Sequence, residues 1–386
     1  MNNENIGFDT QSTDNNLNNM EVNSTSDSAV ADVEQAPETE ELCVSEKLPI
    51  TEEIFAEEKP VFDGKKAKGE FSRIGFGYLI FSGISMIASL ILQAIAMLVS
   101  EEFYKSHLFM NLVTPVSMYL FALPLLIAFF RGVKPVPPKK KNIGFGEWVL
   151  YLVVGFGFMY IGALIGNSIM STLSAIVGYD YRNGLETLID GGSLWVTTVF
   201  AVIIAPIGEE IVFRKLLIDR TGKYGCFISA LLSGLVFGLM HANLYQFFYA
   251  AALGFLLGYL YYTTGRIIYT IAIHAVINLF GSVVSSLLTR GLEDIDMSAL
   301  HGDALIEFFS EHALQLVFIS AYDAFVYAAM IAAIILPIVF RKRLKFDKGD
   351  IEIPSRMRTS TALLNVGMIC LIVFYAFEML LSLIPA

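Results

Sequence analysis

The sequence predicts an all-α protein, a polytopic transmembrane helical bundle of about nine spans with a disordered acidic N-terminal tail. Three observations carry that prediction. Hydrophobic residues make up 55% of the 386-residue chain and the mean hydropathy is +0.60, whereas soluble domains are about 45–50% apolar even with Gly counted. Apolar runs of roughly twenty residues recur throughout 73–386, long enough to cross a hydrocarbon core of about 30 Å. The Lys and Arg residues between those runs fall on alternate loops, as in a chain threaded back and forth through a bilayer.

The tail comes first. Residues 1–72 hold 17 acidic and 5 basic residues, a balance of -12, and residues 73–386 hold 20 acidic and 21 basic, a balance of +1. The net charge of -11 is therefore a property of the tail and says nothing about partners of the membrane domain. Rich in Asn, Ser, Thr, Asp and Glu and poor in aromatics, 1–72 cannot bury enough apolar surface to offset its ordering entropy, so a disordered cytoplasmic tail is expected. It lacks the charged-then-apolar pattern of a secretory signal. The Asn23-Ser24-Thr25 triplet reads as chance in an Asn-rich stretch. Cys43, Cys226 and Cys370 show no CxxC spacing, so small buried hydrophobes are expected rather than a disulfide framework or a thiolate metal site.

The membrane domain is expected over 73–386, with spans near 74–99, 108–130, 148–171, 194–217, 226–243, 246–263, 267–288, 314–340 and 360–384. With a cytoplasmic N-terminus, the inside loops are Arg131 to Lys141, Lys215 to Lys223, Gly265-Arg266 and Arg341 to Arg358. These carry the Lys and Arg clusters, which places the C-terminus outside a multi-pass cell-membrane protein. The expected partners are the lipid bilayer and a membrane-associated protein or peptide, with no nucleic acid.

Ionisable residues inside spans are the informative ones, because a charge at the centre of a spanning helix costs on the order of 2.5–3.5 kcal/mol. The fourth span carries Glu209, Glu210 and Arg214, the fifth His241, the seventh His274 and Asn278, the eighth Asp323 and the ninth Glu378. Glu210 and Arg214 are i,i+4 neighbours and can pair. Glu209 is rotated about 100° from Glu210 and is left free of that pair, as a general base needs. Pro206 and Gly208 just before it loosen the helix. The bland alternative makes the three charges an interfacial cap of the span. Phe237 and His241 share one helix face, as do His274 and Asn278, and a lone membrane His is as readily an interhelical hydrogen-bond partner. By helix rise, Glu209 and His274 lie at similar depth, while His241 comes out deeper. Asp323 and Glu378 are read as a hydrogen-bonding and an interfacial residue.

The ordered set Glu209-Glu210-x-x-x-Arg214, Phe237-x-x-x-His241 and His274-x-x-x-Asn278 resembles the CPBP family of CAAX prenyl endopeptidases and bacteriocin-processing or bacteriocin-immunity proteins, also called Abi. The match is to roughly 195–285, within a core domain at about 148–288. The resemblance implies an intramembrane endopeptidase acting on CAAX-like or other membrane-proximal peptide bonds. It implies that Glu209 and His241 activate the attacking water, that His274 and Asn278 hold the oxyanion, and that Glu210, Arg214 and Phe237 support the site. The family has been described both as glutamate-dependent and as metal-dependent. Two His and a Glu (Glu209, His241, His274) could ligate zinc. The metal-free reading is preferred, because Asn278 is a poor zinc ligand and no HExxH occurs. The alternatives are a proton-coupled transporter using the same ionisable residues, or a non-catalytic bacteriocin-immunity membrane protein.

Overall fold

The computed structural model of the chain describes residues 60–181, 194–292, 295 and 299–384. Most of the acidic tail, with Cys43 and the Asn23 triplet, lies outside the described residues, as do parts of two expected outside loops. Regular structure among the described residues is helical throughout. The principal elements are α1 (Gly64–Val99), α2 (His107–Phe130), α3 (Phe145–Val177), α5 (Cys226–Leu239), α6 (Leu244–Thr264), α7 (Ile267–Thr289), α8 (Ala313–Val339) and α9 (Val366–Leu381). Between α3 and α5 runs α4, five unbroken helical segments: Leu194–Thr197, Thr198–Ile204, Ala205–Glu209, Glu210–Leu216 and Leu217–Thr221.

The count of about nine spans is approximate. Among the described residues six helices, α1, α2, α3, α6, α7 and α8, are long and apolar enough to cross a membrane, and α9 with Ser355–Ala362 makes a seventh if their 60° bend is a broken span. The 14 residues of α5 reach about 21 Å at 1.5 Å per residue, short of the roughly 30 Å a span needs. The tail boundary shifts too. Asp63 caps α1 by accepting hydrogen bonds from the backbone N–H of Lys65 and Lys66 at 2.9 and 3.0 Å, so residues 64–72 are the first turns of α1.

The outward faces are those of a protein in lipid. Leu90, Ile91 and Leu98 of α1, Ile331, Ile334 and Ile338 of α8, and Val373 and Leu380 of α9 are all exposed. The most apolar windows of α1, α2 and α8 are only 17% buried within the protein. A soluble monomer rarely leaves so large an apolar surface in water, whereas a bilayer solvates it, and the chain is a multi-pass membrane protein.

Two buried clusters form inside. One joins residues of α1, α2, α4, α5 and α9, among them Phe71, Tyr78, Phe130, Phe213, Leu217, Leu232 and Met368. The other joins α3, α6, α7 and α8 through Phe156, Leu253, Leu257, Ile273, Ile277 and Ala329. Consecutive antiparallel helices α5 and α6 hold the two together, packing backbone against backbone. A Cβ placed on Gly234 would stand 2.5 Å from the carbonyl oxygen of Ala251, and one placed on Gly254 would stand 2.9 Å from the Cα of Gly234. Without a water-driven hydrophobic effect between helices in lipid, such small-residue contacts supply the van der Waals packing.

Gly234→Val should therefore force α5 and α6 apart, at an overpacking cost of about 1–3 kcal/mol. Gly83→Ala, where an added Cβ meets nothing within 4 Å, should leave stability unchanged or raised. Thermal unfolding of the detergent-solubilised protein checks the pair, and equal melting temperatures for the two variants would contradict this packing.

Candidate active site

The site begins with the irregularity of α4. Pro206 has no N–H to give to the carbonyl one turn earlier, and the α-helical turn Ala205–Glu209 lies between two π-helical segments, Thr198–Ile204 and Glu210–Leu216. Gly208 lets the ring of Tyr119 on α2 lie against the backbone, since a Cβ there would sit 2.1 Å from the Tyr119 Cζ. The Tyr119 hydroxyl donates to the Ala205 carbonyl at 3.5 Å. A widened helix pressed from one side by an aromatic ring thus presents Glu209 and Glu210 in different directions.

Glu210 is fully buried and its Oε1 is shared. The Arg214 guanidinium reaches it through Nη2 at 2.9 Å, and Nδ1 of His274 on α7 reaches it at 2.9 Å. Thr270, one turn before His274, faces the same carboxylate. Arg214, also fully buried, donates through Nη1 to the Ser233 hydroxyl at 3.2 Å, and Ser233 in turn donates to the Phe213 carbonyl at 2.9 Å. The ring of Phe237 receives Arg214 on its face, with Cζ 4.6 Å from the centroid. Phe237 also meets His241 and His274 edge-on at 5.0 and 5.7 Å. One ion pair, one imidazole and one aromatic ring therefore tie α4, α5 and α7 together at the seam of the two apolar clusters.

Glu209 stands apart from the Arg214 pair. Its Oε2 lies 3.6 Å from Nε2 of His274, and its side chain keeps 20% exposure beside the 4% of His274. That is a gap of contact distance, longer than a hydrogen bond. Tyr119 and Tyr249 border the carboxylate. His241 belongs to the same neighbourhood, with Glu209, His274 and Arg214 as the charges acting on it.

His241 does not sit within a span, as 226–243 had predicted. It lies in the link between α5 and α6, after the helix has ended at Leu239. This removes the depth mismatch. From Glu209 to the end of α4 at Thr221 is twelve residues, about 18 Å, and from Cys226 to Leu239 is thirteen, about 20 Å. The two strokes of the hairpin are nearly equal and return His241 to the level of Glu209. The link is tightly held. Asn243 donates to the His241 carbonyl at 2.8 Å and caps α6 by accepting from the Gln246 N–H at 2.9 Å. Ala242 adopts φ 53°, the left-handed region that an alanine seldom occupies. His241 Nδ1 is 2.9 Å from the Phe237 carbonyl. A carbonyl only accepts, so Nδ1 carries the proton and Nε2 carries the lone pair.

Asn278 lies one turn beyond His274 and donates through Nδ2 to the Ala201 carbonyl of α4 at 2.8 Å. Asp323 is exposed on α8 and Glu378 is half-buried near the end of α9; neither joins the cluster. Cys226 is buried and free. Among the described residues no group of three His, Cys, Asp or Glu side chains is placed to hold a metal ion. Sequence reasoning missed Thr270, Ser233, Tyr119 and Tyr249. Thr270 and Ser233 were findable, each i-4 to a named residue on the same helix face, as Thr270-x-x-x-His274 and Ser233-x-x-x-Phe237. Nothing in the sequence singles out Tyr119.

The fold and site define a multi-pass helical membrane protein with a buried Glu–Arg–His cluster and a neighbouring free carboxylate. Residues 191–280 match the family model described as Type II CAAX prenyl endopeptidase Rce1-like, and the segment contains each residue of that cluster. The chain is also similar to YdiL of Bacillus subtilis (strain 168), whose name marks it as a candidate membrane peptidase. The two are 30% identical over 143 residues, 37% of this chain and 57% of YdiL. The match thus spans little more than half the length of that relative. The resemblance read from the sequence is shown over the matched segment. No solved structure matches the chain.

Breaking the pair from one side should be costly, because a buried charge is left without its counter-ion. Arg214→Met should lose about 3–5 kcal/mol of stability, and the double variant Glu210→Gln/Arg214→Met should lose less than Arg214→Met alone. Unfolding of the wild type, Glu210→Gln, Arg214→Met and the double variant in one detergent measures the coupling. Additive losses would contradict the shared carboxylate.

Proposed function

We propose that the protein is an intramembrane endopeptidase that cleaves membrane-associated peptides, CAAX-like or otherwise membrane-proximal, by attack of a water activated at Glu209. The observation that carries this reading is the placement of a partly accessible Glu209 carboxylate 3.6 Å from the imidazole of His274, while the adjacent Glu210 is buried and held through Oε1 by Arg214 and His274. The family match over 191–280 supports it.

Water is a poor nucleophile until a base removes its proton. Glu209 takes that proton as the water oxygen attacks the carbonyl carbon of the scissile bond. His241, whose Nδ1 is occupied by the Phe237 carbonyl, offers its Nε2 lone pair to a hydrogen of the same water and so orients it. The carbonyl oxygen becomes an oxyanion that needs preorganised donors in a low dielectric, each worth about 2.7–4 kcal/mol. His274 donates to both sides only as an imidazolium, with Nδ1–H to Glu210 and Nε2–H to the oxyanion in the gap beside Glu209, and the second amide hydrogen of Asn278 completes the pair. Collapse of the tetrahedral intermediate breaks the C–N bond, and Glu209 returns its proton to the leaving amine. Every group in this sequence is a side chain of the protein, and no step passes through a metal.

In liposomes, Glu209→Gln and Glu209→Ala should lower cleavage of a membrane peptide by about 10²–10⁴-fold while the unfolding temperature holds. Chelation should leave the wild-type rate unchanged. Cleavage that survives both substitutions removes Glu209 as the base, and activity lost to a chelator and restored by zinc contradicts the metal-free route.

A further inference from the structure

A second site lies at the other end of α4, well away from Glu209. Three loops expected on one side of the membrane meet there around a bowl of about 1010 Å³. Backbone hydrogen bonds stitch them together: Lys141 N–H to the Thr264 carbonyl, Cys226 N–H to that of Asp347 and Ile351 N–H to that of Lys223, each at 2.8 Å. The bowl is thus a built feature. Its lining includes six cations, Lys139, Lys141, Lys223, Arg343, Lys345 and Lys348, against the three carboxylates Glu147, Asp347 and Asp350. Lys223 pairs with Glu70 and Lys348 with Glu352. The remaining four, Lys139, Lys141, Arg343 and Lys345, take part in no ion pair among the described residues.

The bowl does not end in solvent alone. Beside it an apolar groove of about 610 Å³ runs between α3 and α8, walled by Leu150, Val154 and Phe158 on one side and Leu336, Pro337 and Phe340 on the other. Glu147, Tyr151, Tyr259, Arg343 and Phe346 line both spaces, so bowl and groove adjoin. From Gly146 to Phe158 is twelve residues of α3, about 18 Å, close to the hydrocarbon depth of one leaflet, which is about half of 30 Å. The groove's mouth lies between helices whose neighbouring side chains face lipid, with Phe145 79%, Ile335 49% and Ile338 63% exposed. A ligand can therefore enter sideways from the bilayer.

We propose that this composite cavity binds one anionic phospholipid, the phosphate headgroup among Lys139, Lys141, Arg343 and Lys345 and an acyl chain in the groove between α3 and α8. Basic pockets between transmembrane helices recognise such headgroups by charge. A soluble phosphate would leave the groove unused, and a neutral lipid would leave the four cations unanswered. The site is independent of the peptidase reading and shares no residue with it.

The test uses the purified full-length protein in detergent, titrated by native mass spectrometry with dioleoyl phosphatidylglycerol, dioleoyl phosphatidylcholine and sn-glycerol 3-phosphate. One phosphatidylglycerol per chain should bind at least about tenfold tighter than phosphatidylcholine, and glycerol 3-phosphate should not displace it. Arg343→Ala/Lys345→Ala should weaken phosphatidylglycerol binding on the order of tenfold and leave phosphatidylcholine unchanged. Leu150→Trp, which fills the groove, should weaken it as well. Should either variant fail to fold, the wild-type comparison still decides. Equal affinity for the two lipids, displacement by glycerol 3-phosphate, or binding unaltered in both variants would overturn the proposal. So would a farnesylated acidic peptide that displaces the phosphatidylglycerol and binds more tightly, since the site would then belong to a peptide.

Discussion

The structure depends on one carboxylate oxygen. Oε1 of Glu210 accepts from Arg214 on its own helix and from His274 on α7, both at 2.9 Å and with no exposure of Glu210. Removing such charges from water costs several kcal/mol per ion, and only good geometry with further hydrogen bonds offsets it. The protein contributes a hydrogen bond from Nη1 of Arg214 to Ser233 and the face of Phe237 under the guanidinium. Because Phe237 also abuts both histidines, the position of each imidazole is set by the same ion pair. Stability and the arrangement of the site are consequences of one cluster.

That cluster needs its helices close and out of regular phase. Glycines bring α5 against α6 at backbone distance, and the 14-residue α5 stops short so that His241 falls in the following link, against the edge of Phe237. The π-helical turns of α4 send two consecutive glutamates to different tasks, one locked to cations and one beside an imidazole. The positive φ of Ala242 belongs to the same economy: strain of about 1–3 kcal/mol is tolerated where surrounding contacts over-determine the backbone.

Much of this was legible in the sequence, and the failures have physical causes. Charges inside apolar runs marked Glu209, Glu210, Arg214, His241, His274 and Asn278, because a bilayer penalises them unless they are partnered. The i,i+4 rule found the Glu210–Arg214 pair. It could not show that Glu210 also holds His274, 64 positions away, since nothing local encodes that contact. The count of nine spans stayed approximate because apolarity alone does not distinguish a crossing helix from a buried short one. Cys226–Leu239 is apolar and 11 of its residues are buried in protein, so its composition reads as a span while its length does not. His241 came out too deep because α4 runs on to Thr221, past the apolar run that ends at Leu217, so that Glu209 lies farther from the helix end than hydropathy indicates. The basic bowl was half visible. The Lys and Arg clusters of 131–141 and 341–358 were read as topology signals, and only the folded chain shows two of them facing one groove.

The central claim is that Glu210, rather than Glu209, fixes the imidazole of His274. The chain has five histidines, few enough for their side-chain nitrogens to be resolved by nitrogen-15 NMR of protein labelled at histidine and assigned by a His274→Gln variant. A hydrogen-bonded Nδ1–H resonance of His274 should persist in Glu209→Gln and be displaced in Glu210→Gln. A His274 Nδ1 signal untouched by Glu210→Gln would contradict that claim.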